Sequence, residues 1–206
     1  MNIITISREF GSGGRELGKR LADRLGVDYY DSEIITAIAK NCGLDARYVA
    51  EKLDNHGWQA YPVTFRSTIR SAGYVQSGNV ELLVQQKAVI EQIAALGKDF
   101  VMIGRNADVI LRDKHSFNLF VCADTASKVR RCMARKTAAE CLTEKALIRQ
   151  MRRIDKMRAQ TRALLTGSGW GQREAYHLMV NTTDWDIKEL TPAVADFATR
   201  WFGRTQ

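Results

Sequence analysis

The apolar positions of this chain fall into short runs that alternate with helical patterns. Ile3–Ile6, interrupted only by Thr5, reads as a strand and leads into a glycine turn, Gly11-Ser12-Gly13-Gly14. Leu17, Leu21 and Leu25 then recur at every fourth residue, the spacing of one helix face, and Gly26 supplies a stop. Val27–Tyr30 predicts a second strand. Asp31 and Ser32 can cap a helix carrying Ile34, Ile35 and Ile38, and Asp45 can cap another, to about Leu53. Residues 54–78 change character, with Trp58, Tyr61, Pro62, Arg66 and Arg70 among several glycines, and predict an insertion with little core of its own. A long helix follows from about Val80 to Leu96, stopped by Gly97. Phe100–Ile103 predicts a buried strand that ends at Gly104-Arg105-Asn106, and Asn118–Cys122 predicts another, with a helix from about Ala126. Thr143 can cap a long basic helix to about Leu165, broken by Gly167-Ser168-Gly169. Leu178–Val180 reads as the last strand and Ile187–Phe202 as a closing helix.

Strands that alternate with helices imply an α/β fold, a parallel sheet covered by helices on both faces. In such sheets ligands bind beyond the C-terminal ends of the strands. The glycine turn, Asp31 after Tyr30, and Gly104-Arg105 after Ile103 all fall on that edge.

Composition narrows the class. The 206 residues can bury one substantial core, and 45% hydrophobic with 26% charged residues is ordinary for a globular protein. No stretch reaches the ~18–20 apolar residues of a membrane span, and the first residues lack a basic segment followed by a long apolar one. A cytoplasmic protein with no membrane partner is expected. The four cysteines, Cys42, Cys122, Cys132 and Cys141, form no CxxC pair and read as free thiols. A net charge of +8, densest between Lys128 and Arg162, calls for an anionic partner. Nucleotide phosphates, nucleic acid and acidic lipid all satisfy charge alone; no nucleic-acid motif is present, so nucleic acid is not expected. The oligomeric state stays open.

A strand, a glycine-rich turn and a helix together make an anion site. Glycines let backbone amides point inward, and the helix N-terminus adds unpaired N–H groups and partial positive charge. The segment Arg8, Gly11, Ser12, Gly13, Gly14, Arg15, Glu16 is therefore the candidate phosphate cradle. It does not match GxxxxGK[ST]. Counted from the strand end, Arg8 takes the first glycine position, Gly13 the second, and Gly14 stands where lysine belongs. In a loop one residue longer, Gly14 is the second glycine, Arg15 replaces lysine and Glu16 replaces the hydroxyl. Either way the usual Mg²⁺-binding hydroxyl is missing, although Ser12 is near.

Four segments resemble the cytidylate kinase-like family of P-loop proteins. They are the opening Ile4–Gly18, the central Val101–Asp108, the basic Arg153–Ala159, and the closing Tyr176–Thr182. The resemblance implies a P-loop NTPase three-layer sandwich with a five-stranded parallel sheet over residues 1–206. Residues 54–78 would be part of a nucleoside-monophosphate-binding insertion, and about 143–170 a helical lid. It implies ATP-dependent phosphoryl transfer to a nucleoside monophosphate, CMP or dCMP first, with Mg²⁺ whose protein ligand is not identified. Arg105 and Asp31, followed by Ser32, match acceptor-site positions. Arg153, Asp155, Lys156 and Arg158 match the lid that grips the transferring phosphate, with Arg152 near it, and Arg15 would supply the loop's charge. Two alternatives stay open: a kinase for another small acceptor, and a non-catalytic nucleotide-binding regulator with a degenerate loop. Arg158 and Arg162 also fit surface helix charges at i,i+4 spacing. Trp58 and Tyr61 can stack on a base or pack locally. Trp170 and Trp185 read as packing residues, and no role is assigned to the three histidines.

Overall fold

The computed structural model describes residues 1–31, 80–135, 143–166 and 169–204. The expected helices after Asp31 and Asp45, the insertion at 54–78, Cys42 and Cys141 lie outside them. Five strands form one parallel sheet: β1 (Ile3–Arg8), β2 (Asp28–Tyr30), β3 (Phe100–Ile103), β4 (Phe117–Cys122) and β5 (Leu178–Asn181), in the order β2-β3-β1-β4-β5. The helices among the described residues are α1 (Gly14–Leu25), α2 (Val80–Ala95), α3 (Ala107–Ile110), α4 (Thr125–Ala134), α5 (Glu144–Thr166) and α6 (Ile187–Arg204).

Successive strand residues point to opposite faces of a sheet, so β1, β2 and β3 each feed two cores. Ile3, Tyr30, Phe100 and Met102 pack on one face with Val89, Ile90 and Ile93 of α2. Their neighbours Ile4, Ile6, Tyr29, Val101 and Ile103 pack on the other with Leu17 and Leu21 of α1 and Val194 and Ala198 of α6. This is why the strands read as continuous apolar runs. A third cluster lies off the sheet: Phe10 sits among Val129 and Cys132 of α4 and Leu147, Met151 and Ile154 of α5.

Register brings the functional edge together. Ile6 lies opposite Ile103, and the Gly104 amide donates to the Ile6 carbonyl at 2.9 Å, so the chain leaves β1 and β3 at the same level. β1 reaches two residues beyond the apolar run, because Ser7 and Arg8 still pair with Phe120 and Val121.

The helix caps follow the sequence. The Asp124 carboxylate accepts from the Ser127 amide at 2.6 Å and starts α4 one residue earlier than expected, and Thr143 Oγ1 accepts from the Ala146 amide at 3.3 Å at the start of α5. α3 was not anticipated, since four residues are too few for a periodic pattern. Trp170 packs edge-on against Phe120 with ring centroids 5.2 Å apart. Trp185 corrects the expectation of a packing residue: it is 53% exposed, and its carbonyl accepts from Arg131 at 3.0 Å. Cys122 and Cys132 are free thiols, and burial pushes the Cys132 thiol up to about 11.

α1 lies close to the sheet at Gly18, where an added Cβ would meet Ile103 Cδ1 at 2.2 Å and Ile6 Cδ1 at 3.2 Å. Gly203, also helical, has nothing within 4 Å of such an atom. Gly18→Val is therefore expected to cost about 1–3 kcal/mol by overpacking. Gly203→Ala is expected to be neutral or stabilising by up to about 1 kcal/mol. Urea unfolding of the two variants checks both signs.

Candidate active site

The boundaries of β1 and α1 decide between the two ways of counting the loop. β1 ends at Arg8, Gly13 is the left-handed N-cap (φ 84°), and the helix opens at Gly14. Five residues, Glu9–Gly13, therefore separate strand from helix. Arg8 stands at the first glycine position, Gly14 at the lysine position and Arg15 at the hydroxyl position.

The loop is fastened on every side. The Ser12 hydroxyl donates to the Glu9 carbonyl at 2.9 Å, and the Thr182 hydroxyl donates to the Ser12 carbonyl at 2.6 Å. Glu9 accepts from Lys128 Nζ at 2.9 Å and from the Ala123 amide at 3.3 Å. The Phe10 ring is buried against α4 and α5, and its amide donates to Asp155 Oδ1 at 2.8 Å. Glu16 pairs with Arg20 at 2.9 Å and with Arg135.

The residues expected of a lid divide by helix face. Leu147, Met151, Ile154, Asp155, Arg158 and Arg162 are spaced so as to share one side of α5, which packs on the protein, while Arg152, Arg153 and Lys156 are exposed. Arg158 Nη1 donates to Asp155 Oδ1 at 2.9 Å and to the Arg8 carbonyl at 3.0 Å. Arg162 is no surface charge: it pairs with Asp108 of α3 at 2.5 Å, both side chains are 3% exposed, and it lies 5.4 Å from the Tyr176 ring centroid. The reading of Arg158 and Arg162 as solvated i,i+4 charges fails because the apolar stripe of α5 continues into them.

After β3 the chain turns sharply. Gly104, Arg105 and Asn106 have φ of 72°, 58° and 53° in succession. A left-handed conformation costs a non-glycine residue roughly 1–2 kcal/mol, and such strain gathers at functional sites. The turn leads into α3 and sets Arg105 beside Arg8.

Arg8, Arg105 and Arg158 line one cavity of about 230 Å³. Ser7, Gly104 and Asn106 complete its sheet-edge side. Leu83, Val84, Gln86 and Lys87 of α2 form one wall, and Ile154, Met157, Thr161 and Leu165 of α5 form another. Trp170 also borders it. Burial, then the neighbouring Arg158 and Arg105, push the Arg8 guanidinium well below its ordinary range, while Tyr29 and Asp31 oppose them. Burial likewise lowers Arg158 and raises Asp155, and each opposes the other's shift. Guanidinium groups held together against their own repulsion form a receptor for a multiply charged anion.

Two expected partners lie elsewhere. The Arg15 guanidinium turns to Asp31 at the end of β2 and forms an ion pair there, and neither residue is among the cavity's described lining. The sequence reading passed over Phe10, Glu9, Lys87 and the Asp108–Arg162 pair. Asp108 lay inside a quoted motif, and Arg162 is in phase with Leu147 and Met151, a signal that its charge had hidden.

A parallel sheet of this order, with a glycine loop opening α1 and α5 packed against that loop, defines a P-loop kinase-type protein. The model of the cytidylate kinase-like family matches residues 3–184, and the chain belongs to that family. An uncharacterized protein from Eubacterium ventriosum ATCC 27560 has the same fold, with TM-score 0.72 and 24% identity over 97% of this chain and 99% of that one. Shikimate kinases share the fold more distantly. The one from Bacteroides thetaiotaomicron superposes with TM-score 0.53 at 14% identity, covering 95% of this chain and 97% of its own. The one from Acinetobacter baumannii, solved with shikimate, gives 0.51 at 13%, covering 97% and 94%. Among proteins with curated descriptions, none matches this chain.

The buried pair bridges the arginine turn and α5. Removing one partner of such a pair costs about 3–5 kcal/mol. Asp108→Ala is expected to lose that much stability, and Asp108→Leu combined with Arg162→Met to recover most of it. Chemical denaturation of both variants measures the difference.

Proposed function

We propose that this protein transfers a phosphoryl group from ATP to a small anionic acceptor, with a nucleoside monophosphate as the acceptor class and CMP or dCMP as first candidates. The observation that supports this reading is the convergence of Arg8, Arg105 and Arg158 on one cavity at the sheet edge beside the glycine loop. Phosphoryl transfer asks for positioning and charge neutralisation more than for covalent chemistry. An acceptor phosphate is already anionic and needs no general base.

The donor phosphates would lie over residues 11–16, where the helix N-terminus offers unpaired amides. Arg105 would hold the acceptor's phosphate, and Arg158, oriented by Asp155, would offset charge on the transferring group. The exposed Arg153 and Lys156 would meet only the outer part of a bound nucleotide. Residues 54–78 would complete the acceptor site, and Asp31 would act there through Arg15. The consensus magnesium ligand has no equivalent among these residues. Arg15 takes its position, and the Ser12 hydroxyl is fully buried and spent on Glu9. Mg²⁺ would reach the site on the nucleotide phosphates. A cytoplasmic location accords with this chemistry.

The test is a panel of nucleoside monophosphates with ATP and Mg²⁺, read by coupled ADP release. Turnover is expected on at least one. Arg105→Ala is expected to lower kcat/KM for it by roughly 10- to 150-fold, the loss of one charge-assisted contact of about 1.5–3 kcal/mol. Absence of turnover on every monophosphate would overturn the acceptor assignment.

One observation favours a second reading. The Asp155 carboxylate already holds the Phe10 amide inside the loop. A regulator that binds nucleotide without transferring phosphate would show ATP binding by calorimetry and no ADP release with any acceptor.

A further inference from the structure

The position where P-loop proteins carry their lysine is Gly14, and it has no room for a side chain. An added Cβ there would come within 2.6 Å of Arg8 Cβ and 3.2 Å of Val121 Cβ. The Arg8 side chain fills that space. It passes across the start of α1 and ends against the Gly104 turn, where an added Cβ would lie 1.9 Å from Arg8 Nη1. Gly104 is thus constrained twice, by the guanidinium lying on it and by its φ of 72°. Arg8 at the first glycine position, Gly14 at the lysine position and Gly104 at the turn are mutually complementary shapes.

The other arginines of this region have partners. Arg15 is paired with Asp31, Arg158 with Asp155, and Arg162 with Asp108. Among the described residues, no hydrogen bond or ion pair engages the Arg8 guanidinium, which borders the cavity. It lies between the loop that would hold the donor and the turn that carries Arg105, the place of the group passing from one to the other.

We propose that Arg8 is the catalytic residue that replaces the loop lysine, contacting the transferring phosphoryl group from the strand side of the loop, with Gly14 and Gly104 as the space it requires. This rests on the phosphotransferase reading above. In the transfer, the bond from phosphorus to the donor's leaving oxygen breaks as a bond to an acceptor phosphate oxygen forms, and no proton moves. Charge spreads over the three equatorial oxygens. A planar guanidinium can meet two of them at once where an ammonium offers one point of charge.

Calorimetry tests this with ADP and with a non-hydrolysable β,γ-imido triphosphate on the wild type, Arg8→Gln, Arg8→Lys, and Arg8→Gly combined with Gly14→Lys. The wild type is expected to bind the triphosphate. Arg8→Gln is expected to weaken triphosphate binding at least tenfold more than ADP binding. The double variant, which removes the Arg8 atoms over Gly14, leaves only the 3.2 Å approach to Val121 Cβ and places a lysine there, is expected to regain part of the preference. Should Arg8→Gln or the double variant fail to fold by thermal melting, Arg8→Lys carries the test, with a triphosphate-to-ADP affinity ratio at least threefold below wild type expected. Equal loss of both ligands, or an unchanged ratio in the folded variants, would overturn the role of Arg8 and leave the phosphotransferase reading intact. A wild type that binds no triphosphate would overturn that reading, and this inference with it.

Discussion

Like charges held close together govern this structure. Three guanidinium groups border a cavity of about 230 Å³, and Arg158 and Arg105 raise the cost of keeping Arg8 charged there. At an effective dielectric constant near 20, unit charges several ångströms apart repel by a few kcal/mol. The surrounding fold bears that repulsion. Asp155 pairs with Arg158, Asp31 lies close enough to favour the charged form of Arg8, and the Arg8 carbonyl accepts from Arg158. The buried Asp108–Arg162 pair joins the arginine turn to α5, so the turn and the helix cannot separate cheaply.

The same network ties the loop to α5. Phe10 is bound twice, through its ring to the apolar stripe of α5 and through its amide to Asp155. One face of α5 therefore packs, holds the loop backbone and presents a cation to the cavity. That economy explains why exposed Arg152, Arg153 and Lys156, close to Asp155 and Arg158 in sequence, stand apart from them in space: a helix places consecutive residues about 100° apart, and only one side of this one faces the cavity.

Much of the fold was legible in the sequence. β1, β3 and β4 announced themselves as apolar runs because the centre of a parallel sheet is buried on both faces, and Gly26 and Gly97 ended their helices through positive φ. Thr143 capped α5 as read, whereas the Asp124 cap of α4 went unread. The candidate site was legible in outline, since strand ends in such sheets mark the binding edge, and Arg8, Arg105 and Arg158 were each named. Their division of labour was not. Arg15 follows the glycines and carries charge, so sequence favoured it for the loop, but the first turn of α1 aims it at Asp31. Arg162 looked solvated because its charge masked its phase with Leu147 and Met151.

The sequence by itself determined the order of strands and helices, the glycine loop and the family, because periodicity, capping and a linear motif are local properties of a chain. Only the tertiary structure decided which cations share a cavity. That depends on the register of Ile6 against Ile103, on the face α5 turns inward, and on the empty space at Gly14 and Gly104 that Arg8 fills. Those are relations between residues as many as 150 positions apart, as between Arg8 and Arg158, and packing, not sequence spacing, sets them.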